Sequence, residues 1–326
     1  MKKLLDVQNL TIHYEMDNAV VKAVNDVSFS IDERETLGLV GETGAGKTTT
    51  ALGIMRLVPN PPGRIVDGKI LLNDENLLDA GASEMRSVRG SRISMIFQDP
   101  MTSLNPVIMI GDQVTEVIRL HGKLSLAEAT VKAQGVLELV GIPNERFLEY
   151  PHQFSGGMRQ RVVIAMALAC SPSLIIADEP TTALDVTIQA QVLELMTRLK
   201  EQFGTSMLII THDLGVVAEV CDRVAIMYAG KIIEYGGKRQ IFKNAKHPYT
   251  QGLFASLPSI DEKAHRLRPI KGSMPDPTNL PSGCHFSPRC PDKMPFCEIG
   301  EISNTETEPG HFVRCAKYMD GHERIA

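Results

Sequence analysis

A run of glycines followed by a lysine and threonines has the composition of a phosphate-binding loop. Residues 41–48 read GETGAGKT, which fits the pattern G-x-x-x-x-G-K-[ST]. The apolar run before it, Leu37 to Val40, is typical of a buried parallel strand, and a helix is predicted to begin near Lys47. Glycines let backbone N–H groups turn toward phosphate oxygens, and a helix N-terminus adds partial positive charge. This context favours a nucleotide phosphate site over a chance glycine-rich turn.

The loop residues differ in the part they are expected to play. Lys47 can reach the β- and γ-phosphates of a nucleotide, and Thr48 can place its hydroxyl on Mg²⁺. The residues predicted to contact nucleotide are Gly41, Glu42, Thr43, Gly44, Ala45, Gly46, Lys47, Thr48 and Thr49.

A second apolar strand, residues 174–177, ends in two carboxylates. Asp178 at the strand tip is placed to hold Mg²⁺, directly or through water. Glu179 is the better candidate for polarising an attacking water. The acidic pair could instead be a helix cap before Pro180. The phosphate loop in the same chain favours the catalytic interpretation.

Strands alternate with helices along most of the chain, which predicts an α/β fold with a mainly parallel sheet covered on both faces. Alternating apolar residues at 4–35 predict further β structure, and residues from about 104 to 170 are interpreted as an inserted helical subdomain. A proline-rich stretch then leads to a tail that contains four cysteines. The predicted division is therefore 1–257 for the main domain and 258–326 for the linker and tail.

Composition limits the function classes. The 326 residues are 43% hydrophobic and 22% charged, with a formal net charge of -5. This balance argues against a general nucleic-acid binder. The longest apolar runs, such as Val162 to Cys170, fall short of the roughly 20 residues that span a bilayer. We therefore expect a soluble chain that reaches a membrane only through partners.

The sequence FSGGM at residues 154–158 resembles the signature motif of the ABC ATPase family, which more often ends in Gln. The resemblance covers about residues 4–258. It implies that Ser155, Gly156 and Gly157, at a helix start, form an anion site for the γ-phosphate held by another subunit. Two chains would then pack head to tail with two ATP molecules between them. Met158 departs from the pattern, but backbone amides carry most of the proposed contact.

Four further residues acquire roles from the same resemblance. Gln98, in FQDP, is expected to meet Mg²⁺ and the attacking water, and His212, in ITHD, to read the γ-phosphate and support Glu179. Asp185, in TALD, precedes an amphipathic helix predicted at 186–203 and belongs to a loop that crosses the dimer interface. Tyr14 is the aromatic expected to stack on adenine. The implied fold is an ABC-type P-loop ATPase with a parallel core, an antiparallel β subdomain, the helical subdomain and a small irregular tail.

Three stretches resemble the importer branch for oligopeptides and dipeptides, which includes nickel importers: QDPMTSLNP at 98–106, HPYT at 247–250 continuing through Leu257 and Pro258, and CHFSPRC at 284–290. The implied partners are a second ATPase subunit (a paralogue or a second copy), two transmembrane permease subunits and an extracytoplasmic binding protein. The chain would act at the cytoplasmic face of the inner membrane. An importer for nickel or another small solute, and a non-transport ABC ATPase, remain alternatives. A metal- or redox-sensing protein built on the tail would leave the ATP site unexplained.

The tail cysteines have the spacing C-x5-C-x6-C-x17-C. They are Cys284, Cys290, Cys297 and Cys315. In a chain without a secretory signal such a cluster suggests metal more than disulfides. The short knuckles of structural zinc sites and the ferredoxin spacing are both missing. The family resemblance favours a [4Fe–4S] cluster, with Zn²⁺ or bare thiols as alternatives.

Overall fold

The computed structural model describes residues 2–182, 184–256 and 269–319. These residues fall into two compact units, each of which has most of its contacts within itself. The first contains the described residues of Met1–Leu5, Ser30–Thr36 and Leu71–Thr211, and the second contains the described residues of Asp6–Phe29, Leu37–Ile70 and His212–Ala326. The predicted boundary at residues 257 and 258, and Ala183 of the TALD sequence, lie outside the described residues.

Strands and helices alternate, as the sequence pattern predicts. The strands are β1 (Lys3–Met16), β2 (Ala19–Asp32), β3 (Thr36–Val40), β4 (Gly63–Leu72), β5 (Glu75–Asn76), β6 (Ile93–Ile96), β7 (Leu174–Asp178), β8 (Ser206–Thr211), β9 (Arg223–Tyr228), β10 (Lys231–Gly237), β11 (Thr305–Glu308) and β12 (His311–Val313). The helices are α1 (Lys47–Ile54), α2 (Ala82–Val88), α3 (Pro100–Ser103), α4 (Ile110–His121), α5 (Leu126–Leu139), α6 (Gly156–Leu168), α7 (Val186–Phe203), α8 (Leu214–Val220), α9 (Lys238–Asn244), α10 (Pro248–Ala255) and α11 (Phe296–Ile299).

The first unit contains three parallel strands in the order β8-β7-β6. Every residue of β7 and β8 is buried, which explains why both read as unbroken apolar runs. Asp178, the last residue of β7, is in register with Ile210 of β8. The carboxyl end of β7 therefore lies at the same sheet edge as the end of β8.

Helices α4, α5 and α6 of the first unit pack against one another. The N-terminus of α5 is fixed by a reciprocal cap, in which the Ser125 hydroxyl accepts from the Glu128 amide and the Glu128 carboxylate accepts from the Ser125 amide. These helices lie within the range 104–170 that the sequence predicts to be helical.

In the second unit β3 is parallel to β9, and β9 and β10 form an antiparallel hairpin. The tail, predicted to be irregular, contains α11 and the strands β11 and β12. β12 pairs antiparallel with β10, with Glu234 opposite Val313, so the tail extends the sheet. A strand of three residues is too short to show a period in the sequence, which is why this pairing was not predicted.

Strands β2, β1 and β4 lie side by side in that order. Their apolar residues include Leu10 and Ile12 of β1, both fully buried. Across the three described ranges, no helix has both the length and the apolar character that crossing a membrane would require.

Candidate nucleotide-binding site

The phosphate loop lies between β3 and α1 in the second unit. Two of its glycines, Gly41 and Gly46, lie very close to backbone atoms of other segments. Gly46, the N-cap of α1, has φ 103°, in the left-handed region. A Cβ atom on Gly46 would lie 2.4 Å from the carbonyl oxygen of Ala23, and one on Gly41 would lie 2.2 Å from the carbonyl oxygen of Met227. Any other side chain at these two positions would force the loop to move.

Lys47 is buried and folds back onto this loop. Its Nζ donates hydrogen bonds to the carbonyl oxygens of Gly41 at 2.7 Å and Glu42 at 3.1 Å. Thr48, in the first turn of α1, is exposed. Lys47 and Thr48 are the first two residues of α1, and the N-terminus of this helix adds partial positive charge, an arrangement suited to binding phosphate. Of the remaining predicted contacts, Thr43 and Gly44 are exposed, Glu42, Gly46 and Thr49 are half-buried, and Ala45 is buried.

The acidic end of β7 lies in the first unit and has a strained backbone. Asp178 is 2% exposed. Glu179 follows with φ 47°, and its amide donates to the carbonyl of Ile210 at 2.8 Å. A left-handed conformation at a residue other than glycine costs about 1–3 kcal/mol and is concentrated at functional sites.

The Glu179 carboxylate is held by two side chains. Its Oε2 accepts a hydrogen bond from Nε2 of Gln98 at 2.9 Å and one from Oγ1 of Thr182 at 3.0 Å. The structure thus brings together Gln98 and Glu179, which the sequence places far apart. Thr182 was not among the predicted site residues, although it lies three residues from Glu179.

The signature residues begin α6 in the same unit. The Ser155 hydroxyl caps the helix by accepting from the amide of Met158 at 3.4 Å. A Cβ atom on Gly157 would lie 2.6 Å from Cγ2 of Ile188, so the glycine allows close packing against α7. Gly156 has more room, with Leu184 at 3.8 Å from such an atom. The start of α6 therefore consists of small residues, of which Ser155 and Gly156 are exposed and Gly157 is half-buried.

Gln160, on the first turns of α6, was missed by sequence reasoning. It is 1% exposed, and its Nε2 donates to the carbonyl oxygen of Pro180 at 2.7 Å. This hydrogen bond joins the signature helix to the residue after Glu179. One polar residue in a helix gives no sequence signal that distinguishes such a contact from a solvated position.

Three other predicted residues lie at element ends or on a strand. Asp185 is exposed at the N-cap of α7, and its carbonyl accepts from the amide of Gln189. His212 is exposed and directly follows β8, at the start of the second unit's last segment. Tyr14 is half-buried on β1, where a Cβ atom on Gly63 would lie 2.8 Å from its Cε1.

The six cysteines of the chain are free thiols. The four in the tail influence one another: burial raises the pKa of Cys315 to about 12 and of Cys290 to about 11, and the charges of the neighbouring tail cysteines add to both shifts. The amide of Cys284 donates to the carbonyl of Cys297 at 2.8 Å. The charges of the tail thiols therefore interact, but no group of three or more His, Cys, Asp or Glu residues has a metal-binding arrangement within the described ranges.

Comparison with known proteins supports the resemblance to ABC ATPases of peptide importers. Residues 24–182 match the family model described as "ABC transporter", and residues 233–297 match "Oligopeptide/dipeptide transporter, C-terminal region". The oligopeptide transport ATP-binding protein AppD of Bacillus subtilis is 50% identical over 98% of this chain and 98% of its own length. The oligopeptide transport ATP-binding protein OppD of Escherichia coli is 46% identical over 97% of this chain and 94% of its own length.

A solved structure has a similar fold. It is a dimeric post-hydrolysis state of the ATP-binding cassette MJ0796 bound to ADP and Pi, with a TM-score of 0.65 and 27% identity. The alignment covers 72% of this chain and 99% of that chain.

The match to the ABC transporter family model and the similarity to the solved cassette show that the chain contains an ATP-binding cassette, which is an ATPase that uses ATP and Mg²⁺. This chain belongs to the ABC transporter family, in the group of oligopeptide and dipeptide transport ATP-binding proteins. The predicted family and ATPase activity are confirmed. The predicted fold is confirmed as an ATP-binding cassette with mixed α/β sheets.

Proposed function

We propose that this chain is the ATP-hydrolysing subunit that powers an importer of dipeptides or oligopeptides. The observation that carries this proposal is the extent of the similarity. The similarity to relatives named for oligopeptide transport covers both the cassette and the C-terminal region. The identity to one such relative is 50% over 98% of the chain. The cassette alone would indicate only the broader family.

For hydrolysis we assign the central role to Glu179. Its carboxylate would polarise the attacking water, and the hydrogen bonds from Gln98 and Thr182 would hold that carboxylate in one orientation. The bound nucleotide would supply the γ-phosphate, and the chemistry expected of a bound Mg²⁺ is to neutralise charge on that phosphate. Thr48, Gln98 and Asp178 are the residues proposed to hold the ion.

The remaining contacts divide between the nucleotide and the dimer partner. Lys47 would bind the β- and γ-phosphates, and Tyr14 would stack on adenine. His212 would read the γ-phosphate and support Glu179. The signature residues at the start of α6 would close over the nucleotide of a second ATPase subunit, with Asp185 at that interface. ATP-driven closing and reopening of this dimer would move the permease.

We further propose that the chain works at the cytoplasmic face of the membrane, as a peripheral subunit. Its partners there would be two transmembrane permease subunits, a second ATPase subunit and an extracytoplasmic binding protein. The support is the similarity to oligopeptide transport ATP-binding proteins.

The tail cysteines are proposed to hold a [4Fe–4S] cluster, with Zn²⁺ as the alternative. Electrostatic interaction among the tail thiols supports this. Burial raises the pKa of each of three tail thiols, and backbone amides that hydrogen-bond to their sulfurs offset part of that shift: those of Phe286 and Ser287 to Cys284, of Asp292 to Cys290 and of Lys317 to Cys315. Amide hydrogen bonds to sulfur are one way in which proteins tune such clusters. Bound there, the cluster would cross-link the tail.

Uptake by the assembled transporter tests the proposal. The chain would be reconstituted in vesicles with its permease, second ATPase subunit and binding protein, and ATP-dependent uptake of a labelled tripeptide and of Ni²⁺ would be measured. We expect tripeptide uptake that stops in the Glu179→Gln variant. Uptake of Ni²⁺ without tripeptide would contradict the peptide assignment, and tripeptide uptake that continued undiminished in the variant would contradict the role of Glu179.

A further inference from the structure

Glu42, the second residue of the phosphate loop, is bound by an arginine from the distant tail. Nη1 of Arg289 lies 3.2 Å from Oε1 and 3.1 Å from Oε2 of Glu42. The Arg289 side chain is 6% exposed and that of Glu42 is 33% exposed. A charge-assisted pair with so little exposure is screened far less by water and salt than a surface pair is.

The guanidinium of Arg289 is fixed by other acceptors. Its Nη1 also contacts the Tyr228 hydroxyl at 3.3 Å. Nε donates to the carbonyl oxygen of Lys271 at 3.0 Å, and Nη2 donates to that of Ile270 at 3.3 Å. Each nitrogen that can donate therefore has an acceptor. The guanidinium is therefore fixed by carbonyl oxygens of the tail at the same time as it binds the Glu42 carboxylate.

The backbone amide of Glu42 is also bound, by a buried tyrosine. The amide of Glu42 donates to the Tyr249 hydroxyl at 3.1 Å. The Tyr249 ring is fully buried, with its centroid 4.6 Å from that of Tyr228 and 5.4 Å from that of Phe286. Phe286 belongs to the tail. Both the amide and the carboxylate of Glu42 are thus fixed by one group of side chains that the tail helps to build.

The tail approaches the loop at a second point. A Cβ atom on Gly44 would lie 4.0 Å from Sδ of Met274. Nearby in sequence, the carbonyl of Pro277 accepts a hydrogen bond from the amide of Lys22 at 3.0 Å. Contact between tail and loop therefore does not depend on Arg289 alone.

We propose that Arg289 is a positioning residue for the phosphate loop and that the tail, through it, sets the affinity for nucleotide. Without this partner, the Glu42 carboxylate would stand unpaired beside the site of a highly anionic triphosphate and would repel it. With the partner, the charge is neutralised and the carboxylate is held still. The inference rests on the proposed assignment of residues 41–48 as the phosphate loop.

A double-mutant cycle on the full chain tests this inference. The Kd for MgATP would be measured by calorimetry for the wild type, Arg289→Met, Glu42→Gln and the double variant. We expect Arg289→Met to raise Kd about tenfold, which equals about 1.4 kcal/mol. The double variant should bind nearly as well as Glu42→Gln, since it contains no unpaired carboxylate. Arg289→Lys, which keeps the charge, should lie between the wild type and Arg289→Met.

Two further measurements separate this role from a general loss of folding. Added salt should narrow the difference in Kd between Arg289→Met and the wild type, because it screens the repulsion. The matched control is Arg314→Met, which removes another tail arginine, paired with Asp26 at 2.8 Å outside the phosphate loop. This control should leave Kd unchanged.

The outcomes separate the role of Arg289 from the assignment of the phosphate loop. Equal losses of affinity in Arg289→Met and Arg314→Met, additive effects in the double variant, or an unchanged Kd in Arg289→Met would each overturn the inference. A wild-type chain that failed to bind MgATP would instead overturn the assignment of the loop, and the proposed function with it.

Discussion

The tail strand β12 is joined to β10 by a buried pair, and we expect His311→Ala to detach it locally. Nε2 of His311 lies 2.8 Å from Oε1 of Glu234, and both side chains are 0% exposed. Removing one partner of a buried pair costs about 3–5 kcal/mol when both groups are charged, and about 1–3 kcal/mol when a buried acceptor loses a neutral donor. The same carboxylate also accepts from the amides of Lys246 at 2.7 Å and His247 at 3.0 Å. Because those two donors remain, we expect a loss near 3 kcal/mol.

Hydrogen exchange measures this loss directly. The amide of Arg314 donates to the carbonyl of Ile233 at 2.8 Å and therefore reports on opening of β12. A loss of about 3 kcal/mol corresponds to about hundredfold faster exchange of that amide by local opening. The control is Ser303→Ala, at an exposed tail position. Exchange in His311→Ala that stayed within about twofold of this control would show that His311 does not hold β12 in place.

Three further predictions concern acid, the phosphate loop and the tail. Burial lowers the pKa of His247 to about 3 and of His285 to about 4, so both stay neutral in the folded chain while the unfolded chain binds protons below about pH 6.5. Stability to urea should therefore fall between pH 6.5 and 4, by up to about 1.4 kcal/mol per pH unit for each histidine. His285→Asn should make this dependence shallower, and an equal slope in that variant would contradict the prediction. Gly46→Ala should weaken MgATP binding at least about tenfold because its Cβ atom meets the Ala23 carbonyl. Gly135→Ala, whose added atom meets nothing within 4 Å, is the matched control, and equal Kd values in the two variants would count against the loop geometry. Cys290→Ser should lower the iron content of anaerobically purified protein, whereas unchanged iron would argue against a cluster on the tail cysteines.

Features that depend on neighbouring residues in the chain could be predicted from the sequence. The phosphate loop is eight contiguous residues whose glycines and lysine act through their own backbone and neighbouring helix, so the sequence alone was enough to propose it. The amphipathic helix predicted at 186–203 coincides with α7 (Val186–Phe203) because one continuous period of 3.6 residues covers it. The buried strands β7 and β8 were recognisable for the same reason, as unbroken apolar runs.

Contacts between distant residues were not predictable in this way. Arg289 and Glu42 are separated by 247 residues, and Gln160 and Pro180 by 20. Neither pair has a local signal, because an arginine or a glutamine on its own is typical of a solvated surface. The division at residue 257 and the roles of the individual site residues stay predictions, and the boundary itself lies outside the described residues.

The role of Glu179 in hydrolysis is tested most directly by ATP turnover of the full chain, with the wild type compared to Glu179→Gln. MgATP binding would be measured on the same samples. If Glu179 polarises the attacking water, the variant should retain binding while its turnover falls by about 10²-fold or more. Turnover that survived intact in the variant would contradict the catalytic role assigned to Glu179.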